Sequence, residues 1–137
     1  MEYKYIGCFL DFEKLHKAIA HLPQQRLSRL IAHPHVTFAY RPESVDTALF
    51  GEKIALTVTG YGNDGVNEGL LVEVHTKNAT LQKMADGIAV PHITLSLGAA
   101  GEAVDTAKLK FSPIAPFELC GLFGGYRFDD SVDTQEK

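Results

Sequence analysis

Residues 34–37 read PHVT and residues 91–94 read PHIT, each within a run rich in β-branched and apolar residues. The repetition extends beyond the tetrapeptide. VDTA follows the first copy at residues 45–48 and the second at residues 104–107, at nearly the same distance. Two copies of one unit are too few for a solenoid, which needs at least three stacked units. They suit a domain of two similar parts related by an approximate two-fold axis.

Working outward from each copy, both halves read strand, helix, PHxT strand, short helix, strand. YKYIGCFLD (3–11) has the aromatic and β-branched content of a buried strand. Asp11 can cap the next segment, where Phe12, Leu15, Ile19 and Leu22 fall at helical spacing before Pro23. QQRLSRLIA (24–32) reads as a short helix or a loop. HVTFAYR (35–41) is a strand that Pro42 stops. ESVDTALFG (43–51) is a short helix with Ser44 or Asp46 as cap, KIALTVTGY (53–61) is a strand, and GNDG (62–65) is a turn. The order then restarts. GLLVEVHT (69–76) is a strand, and NATLQKMADG (78–87) is a helix bounded by Asn78 and Gly87. HITLSLG (92–98) is a strand, EAVDTAKLK (102–110) a short helix with Asp105 as a possible cap, and IAPFELCGLF (114–123) a final strand.

The expected fold is α+β: one domain over residues 1–128 with two pseudo-symmetric lobes, about 1–62 and about 63–128. Each lobe is an antiparallel sheet with helices packed outside, and an active-site cleft lies between them. Residues 129–137, DDSVDTQEK, read as an acidic, flexible tail.

Composition sets the setting. The chain has 137 residues, 45% hydrophobic and 22% charged, which suits one domain with its own core. A net charge of −4 gives no global signature of long duplex nucleic-acid binding. A local site can still be positive, so a small anionic substrate or an RNA end stays open. No run reaches the length of a membrane-spanning helix, and MEYKYIGCFLDFEK lacks a signal-peptide layout. No membrane partner and a cytoplasmic location are therefore expected. Cys8 and Cys120 sit in apolar runs without metal-site spacing, and are expected to be buried free thiols.

On a strand, residues i and i+2 share a face. His35 and Thr37 therefore point together, as do His92 and Thr94, while Val36 and Ile93 point into an apolar layer. Two strands brought close would deliver two imidazoles and two hydroxyls to one cleft. One imidazole can be neutral and accept a proton while the other is charged and donates one. Hydroxyls and imidazolium can hold anionic oxygens where charge develops. Such a set fits in-line attack on a phosphodiester with no cofactor.

The paired PHVT and PHIT resemble the H-x-T signature of the two-histidine (2H) phosphoesterase superfamily. The second motif with its sequel, PHITLSLGAAGEAVDTAKL, looks most like the cyclic phosphodiesterase domain of tRNA-splicing ligases. The resemblance spans roughly residues 3 to 124. It implies a small bilobal α+β fold with one motif per lobe. It further implies His35 and His92 as an acid/base pair, with Thr37 and Thr94 on the non-bridging phosphate oxygens. In such enzymes one histidine activates water against a 2′,3′-cyclic phosphate and the other protonates the leaving ribose oxygen. The substrate class is a cyclic or 2′-5′ ribose phosphodiester, first a 2′,3′-cyclic nucleotide or an RNA 3′-end cyclic phosphate.

Further residues enter as candidates. Tyr40, Tyr61, Phe123 and Tyr126 could each stack a base, although aromatics in strands more often belong to a core; Tyr40 and Tyr126 are the expected substrate-binding pair. Arg41 and Arg127 suit either a phosphate contact or a surface ion pair. GLFGGY (121–126) lacks the Lys-Ser/Thr of a phosphate loop, so its glycines suit bulges or close backbone contact. His16, His21 and His75 have no partner in the repeat and read as surface residues. His33, His35 and His92 together could form a three-histidine zinc site, although Pro34 interrupts the spacing and Val90 stands where a second His33 would be. The alternatives to a metal-free hydrolase are thus a small zinc enzyme, or a nucleotide- or RNA-end-binding module without turnover.

Overall fold

The computed structural model describes residues 2–22 and 26–135. The apolar run at the start forms strand β1 (Tyr3–Phe9), buried except at Lys4. The Asp11 carboxylate accepts the Lys14 N–H at 2.9 Å and opens helix α1 (Phe12–Ala18). Pro23, expected to punctuate this helix, lies outside the described residues. The following segment, expected as a helix or loop, instead contributes the short strand β2 (Arg29–Leu30), paired with the second PHxT strand.

The two PHxT runs are β3 (His35–Tyr40) and β6 (His92–Leu97), and the hairpin between them is β4 (Lys53–Asn63) and β5 (Asn67–His75). Asn78 caps α2 (Ala79–Asp86) by accepting the Leu81 N–H at 3.0 Å. The first VDTA copy leads into a 3₁₀ segment, Thr47–Leu49, and the second lies within one, Ala103–Lys108. Asp46, rather than Ser44, caps the first. Asp105 does not cap the second but pairs with Lys108 at 3.2 Å. The last strands are β7 (Ser112–Arg127) and β8 (Val132–Asp133).

All strands pair antiparallel, in the order β2-β6-β5-β4-β7-β1-β3, with β8 on β7. In that path β4 lies between β5 and β7, and β7 between β4 and β1, so the two halves of the sequence interlock in one sheet. The expectation of one separate sheet per half gives way to this single antiparallel one. Exchanging β1 with β5, β3 with β6 and β4 with β7 returns the same order read from the other end, β2 aside. Although β3 and β6 lie far apart in that order, they contact each other, so the sheet must curl strongly.

Pairing register repeats as well. Gly7 lies opposite Thr37 and Gly69 opposite Thr94, and a register shift adjoins each glycine on the same side. A Cβ on Gly7 would fall on the Val36 carbonyl oxygen, and one on Gly69 would stand 2.9 Å from the Ile93 carbonyl oxygen. Both glycines thus let a PHxT backbone approach its neighbour unusually closely.

The core occupies one face. Leu15 of α1, Ile19 just after it, and Leu81 and Ala85 of α2 pack with Ile6, Cys8, Val36, Ile54, Leu56, Leu70 and Ile93. Burial of each large aliphatic side chain is worth roughly 1.5–3 kcal/mol. Phe123 and Tyr61 belong to this core, which settles them as packing residues. Cys8 is buried, but Cys120 is exposed, because β7 alternation sets it beside Ala55 on the open face.

A charged group is buried against the core. Glu68 is fully buried and accepts from Tyr61 Oη at 2.5 Å, from Ser96 Oγ at 2.7 Å and from Arg26 at 2.8 Å. A buried carboxylate persists only with such partners. Tyr61→Phe is expected to lower stability by about 2 kcal/mol, the usual worth of a hydrogen bond to a charged group. Chemical denaturation measures it, and an unchanged midpoint contradicts the account.

The segment expected to be a flexible tail is tied down through Gln135. Asp133 is 7% exposed and takes Arg127 Nη2 at 2.5 Å and the Tyr3 hydroxyl at 3.3 Å. Its carboxylate supplies what the composition of DDSVDTQEK conceals, a partner for a cation on the neighbouring strand. No helix among the described residues is long and apolar enough to cross a membrane.

Candidate functional site

The curl that brings β3 to β6 closes a cavity of about 260 Å³ lined by His35, Thr37, Tyr40, His92 and Thr94, together with the 3₁₀ residues Ala103, Val104 and Ala107. Strand alternation places His35 and Thr37 on its wall while Val36 is in the core, and does the same with His92, Thr94 and Ile93. Alternation alone would add Ser96 to this wall. The register shift between Glu68 and Gly69 instead pairs Ser96 with Glu68 and turns it to the core face.

The two imidazoles are held alike. Nδ1 of His35 lies 2.8 Å from the His33 carbonyl oxygen, and Nδ1 of His92 lies 2.8 Å from that of Val90. A carbonyl can only accept, so each Nδ1 carries a hydrogen and donates it. Each Nε2 is then the atom free to exchange a proton.

Their surroundings differ. The Tyr5 ring stacks on His35 with centroids 4.5 Å apart, and Phe9 stands 5.5 Å away. Loss of water pushes the His35 pKa down to about 4; the His33 carbonyl bond opposes this, and charge on His92 or His33 adds to it. His35 is therefore neutral at pH 7. Burial also pushes the Tyr5 phenol upward, so that it remains protonated.

On the other strand the surroundings are polar. The hydroxyl oxygens of Thr94 and Thr106 lie 2.8 Å apart, and Asn67 Nδ2 donates to Thr106 Oγ1 at 3.0 Å and to the Glu102 carbonyl at 2.7 Å. Asn67, Thr94 and Thr106 are all buried. Thr106 belongs to the second VDTA copy, whose repetition signalled a role that sequence assigned to capping or packing. Nothing in the sequence singled out Asn67 or Tyr5.

Not every candidate comes to the cavity. Tyr40 does, and it is 59% exposed at the rim. Tyr126 does not line it. Its ring stacks on Tyr5 at 4.8 Å, one ring removed from His35, and its hydroxyl donates to Asp130 at 2.8 Å. Arg127 is committed to Asp133, and Arg41 lies 5.7 Å over the Phe128 ring. The glycines of GLFGGY meet neighbouring chain rather than an anion: a Cβ on Gly121 would stand 2.7 Å from the Phe9 carbonyl oxygen. His16, His21 and His75 lie outside the cavity lining. A wider groove of about 920 Å³ along Lys53, Lys77 and Cys120 brings a single histidine, His75, and neither PHxT motif.

Among the described residues, no three His, Cys, Asp or Glu side chains converge as a metal-binding group. His33 directs its ring edge to Tyr126, with centroids 6.1 Å apart. Nor does any Lys, Arg, Asp or Glu among the described residues line the cavity, so an anion there meets imidazoles and hydroxyls. No protein-family model matches this chain, and no curated protein matches it.

Proposed function

We propose that this chain is a phosphoesterase of the two-histidine type that hydrolyses a 2′,3′-cyclic ribose phosphodiester without a metal. The observation that carries the reading is the pair of imidazoles on one small cavity, each fixed through Nδ1 and presenting Nε2. The repeated register around Gly7 and Gly69 supports two lobes related about that cavity. The volume suits a ribose cyclic phosphate, being near the lower end of ligand pockets, roughly 300–1,000 Å³. The base then projects past exposed Tyr40, where a ring face binds any base. An RNA 3′-end cyclic phosphate fits the same way, since only its last nucleotide enters. A lining without Lys or Arg among the described residues favours a singly charged diester over a polyphosphate. The free thiols of Cys8 and Cys120 fit action in a reducing, cytoplasmic setting.

In this mechanism neutral His35 takes a proton from water through Nε2. The water oxygen attacks phosphorus, the bond to one ribose oxygen breaks, and His92 returns a proton to that oxygen from its own Nε2. Thr37 and Thr94 hold the non-bridging oxygens as charge builds on them. The product is a 2′- or 3′-phosphomonoester.

The test is turnover of a 2′,3′-cyclic nucleotide panel in excess EDTA, with the product isomer read by chromatography. One phosphomonoester isomer is expected. Activity that vanishes with EDTA and returns with zinc would replace this reading by a zinc-dependent one. Tight binding of the panel without turnover would make the chain a binding module.

The pH profile tests the assignment of roles. A base must be neutral, so kcat/KM is expected to hold from neutral pH downward and to fall only as the pH drops through about 4, where His35 takes up a proton. An acid limb breaking well above pH 5 would give the base role to another group.

A further inference from the structure

Resting on the phosphoesterase reading, we infer that Thr106 and Asn67 are positioning residues that aim the Thr94 hydroxyl hydrogen at the substrate phosphate. Hydrogen counting carries this. The two N–H bonds of the Asn67 amide go to the Glu102 carbonyl and to Thr106 Oγ1. Thr106 Oγ1 is thereby an acceptor, and its single hydrogen needs an acceptor of its own. Thr106 is fully buried, where an unsatisfied hydroxyl is costly. Among the described residues, Thr94 Oγ1 at 2.8 Å is the hydroxyl oxygen within its reach. Taken alone, the contact lets the Thr94 hydroxyl donate to Thr106, but a hydroxyl hydrogen rotates to suit its partners, and with Asn67 already donating to Thr106 Oγ1 the buried Thr106 hydrogen is satisfied only when Thr106 donates to Thr94. Thr94 then has one hydrogen left, and the space open to it is the cavity that Thr94 lines.

The backbone makes room for this arrangement at one place. Gly69 lies opposite Thr94, and a Cβ there would collide with the Thr106 methyl. The chain of donors runs Asn67 to Thr106 to Thr94 to phosphate, each bond polarising the next. A hydroxyl that is already a donor at rest costs no reorientation when charge develops on phosphorus, so its effect falls on the chemical step. The described residues of the first half hold no such chain. Tyr5 holds the register position of Asn67, and there it packs against His35. The halves have therefore diverged into a dry side beside His35 and a donor side beside His92.

The experiment compares wild type with Thr106→Val, Thr106→Ser, Thr94→Val and the Thr94→Val/Thr106→Val double variant on a 2′,3′-cyclic nucleotide. Thr106→Val is expected to lower kcat about tenfold with KM changed less than about twofold, the worth of one polarised hydrogen bond. Thr106→Ser keeps the hydroxyl and is expected to stay within about twofold of wild type. The double variant is expected to be no slower than Thr94→Val alone, because both act through one hydrogen. If Thr106→Val does not fold, Asn67→Asp reads the same relay. Its carboxylate accepts from Thr106 instead of donating, which turns the Thr94 hydroxyl away from the cavity and lowers kcat by a similar factor. Wild-type kcat in Thr106→Val, or a full further loss in the double variant, overturns the inference while leaving the phosphoesterase reading intact. A wild type that neither turns over nor binds the panel overturns both.

Discussion

Replacing either His35 or His92 by alanine is expected to lower kcat on a 2′,3′-cyclic nucleotide by roughly 10²–10⁴-fold, in protein that remains folded. Each ring is held through Nδ1 by a carbonyl two residues upstream and lines a cavity, so in the proposed mechanism its removal takes away a proton carrier more than a packing element. His35→Ala also strips a stacking partner from Tyr5, so a modest fall in stability accompanies it and His92→Ala is the cleaner variant. The double variant is expected to lose far less than the product of the single losses, because in the proposed mechanism acid and base act on one displacement. Circular dichroism and a melting curve establish folding beside the kinetics. Single variants that keep wild-type rates would remove these histidines from the chemistry.

Gly7→Ala is expected to lower stability by about 3 kcal/mol, at the upper end of overpacking effects. The new methyl would fall on the Val36 carbonyl oxygen, with the Phe38 nitrogen 3.1 Å away. These are backbone atoms of β3, so no rotamer change relieves the contact. The strand must move as a unit, and His35 and Thr37 move with it. A denaturation midpoint near wild type would show that β1 and β3 do not approach so closely. Activity should fall along with stability, which separates this variant from one that merely loosens the core.

Much of this chain is legible from short runs of its residues. The run around residues 34–37 is a strand because β-branched and aromatic residues favour one, and its period of two sends His35 and Thr37 to one face. Asp11 and Asn78 cap their helices because each carboxyl or amide oxygen can reach a free N–H three residues on. Other features resisted for definite reasons. Ser96 shares the parity of His92 and Thr94, yet a register shift of one residue reverses it, and such a shift depends on the neighbouring strand. The segment at residues 29–30 has no strand signature of its own and pairs because β6 offers it an edge. The acidic stretch near residue 133 docks because Arg127 and Tyr3 wait for a carboxylate, a fact that composition cannot contain.

By itself, then, the sequence determined the order of the long strands and the two capped helices, the repeated motifs and the four side chains that share strand faces, since propensity, capping and period act over a few neighbouring residues. The tertiary structure alone decided that the halves interlock in one curled sheet, that Tyr5 dries His35, and that Asn67 reaches Thr94 through Thr106. Those contacts join residues distant along the chain, and their geometry follows from sheet curvature and register, which no local run of residues encodes.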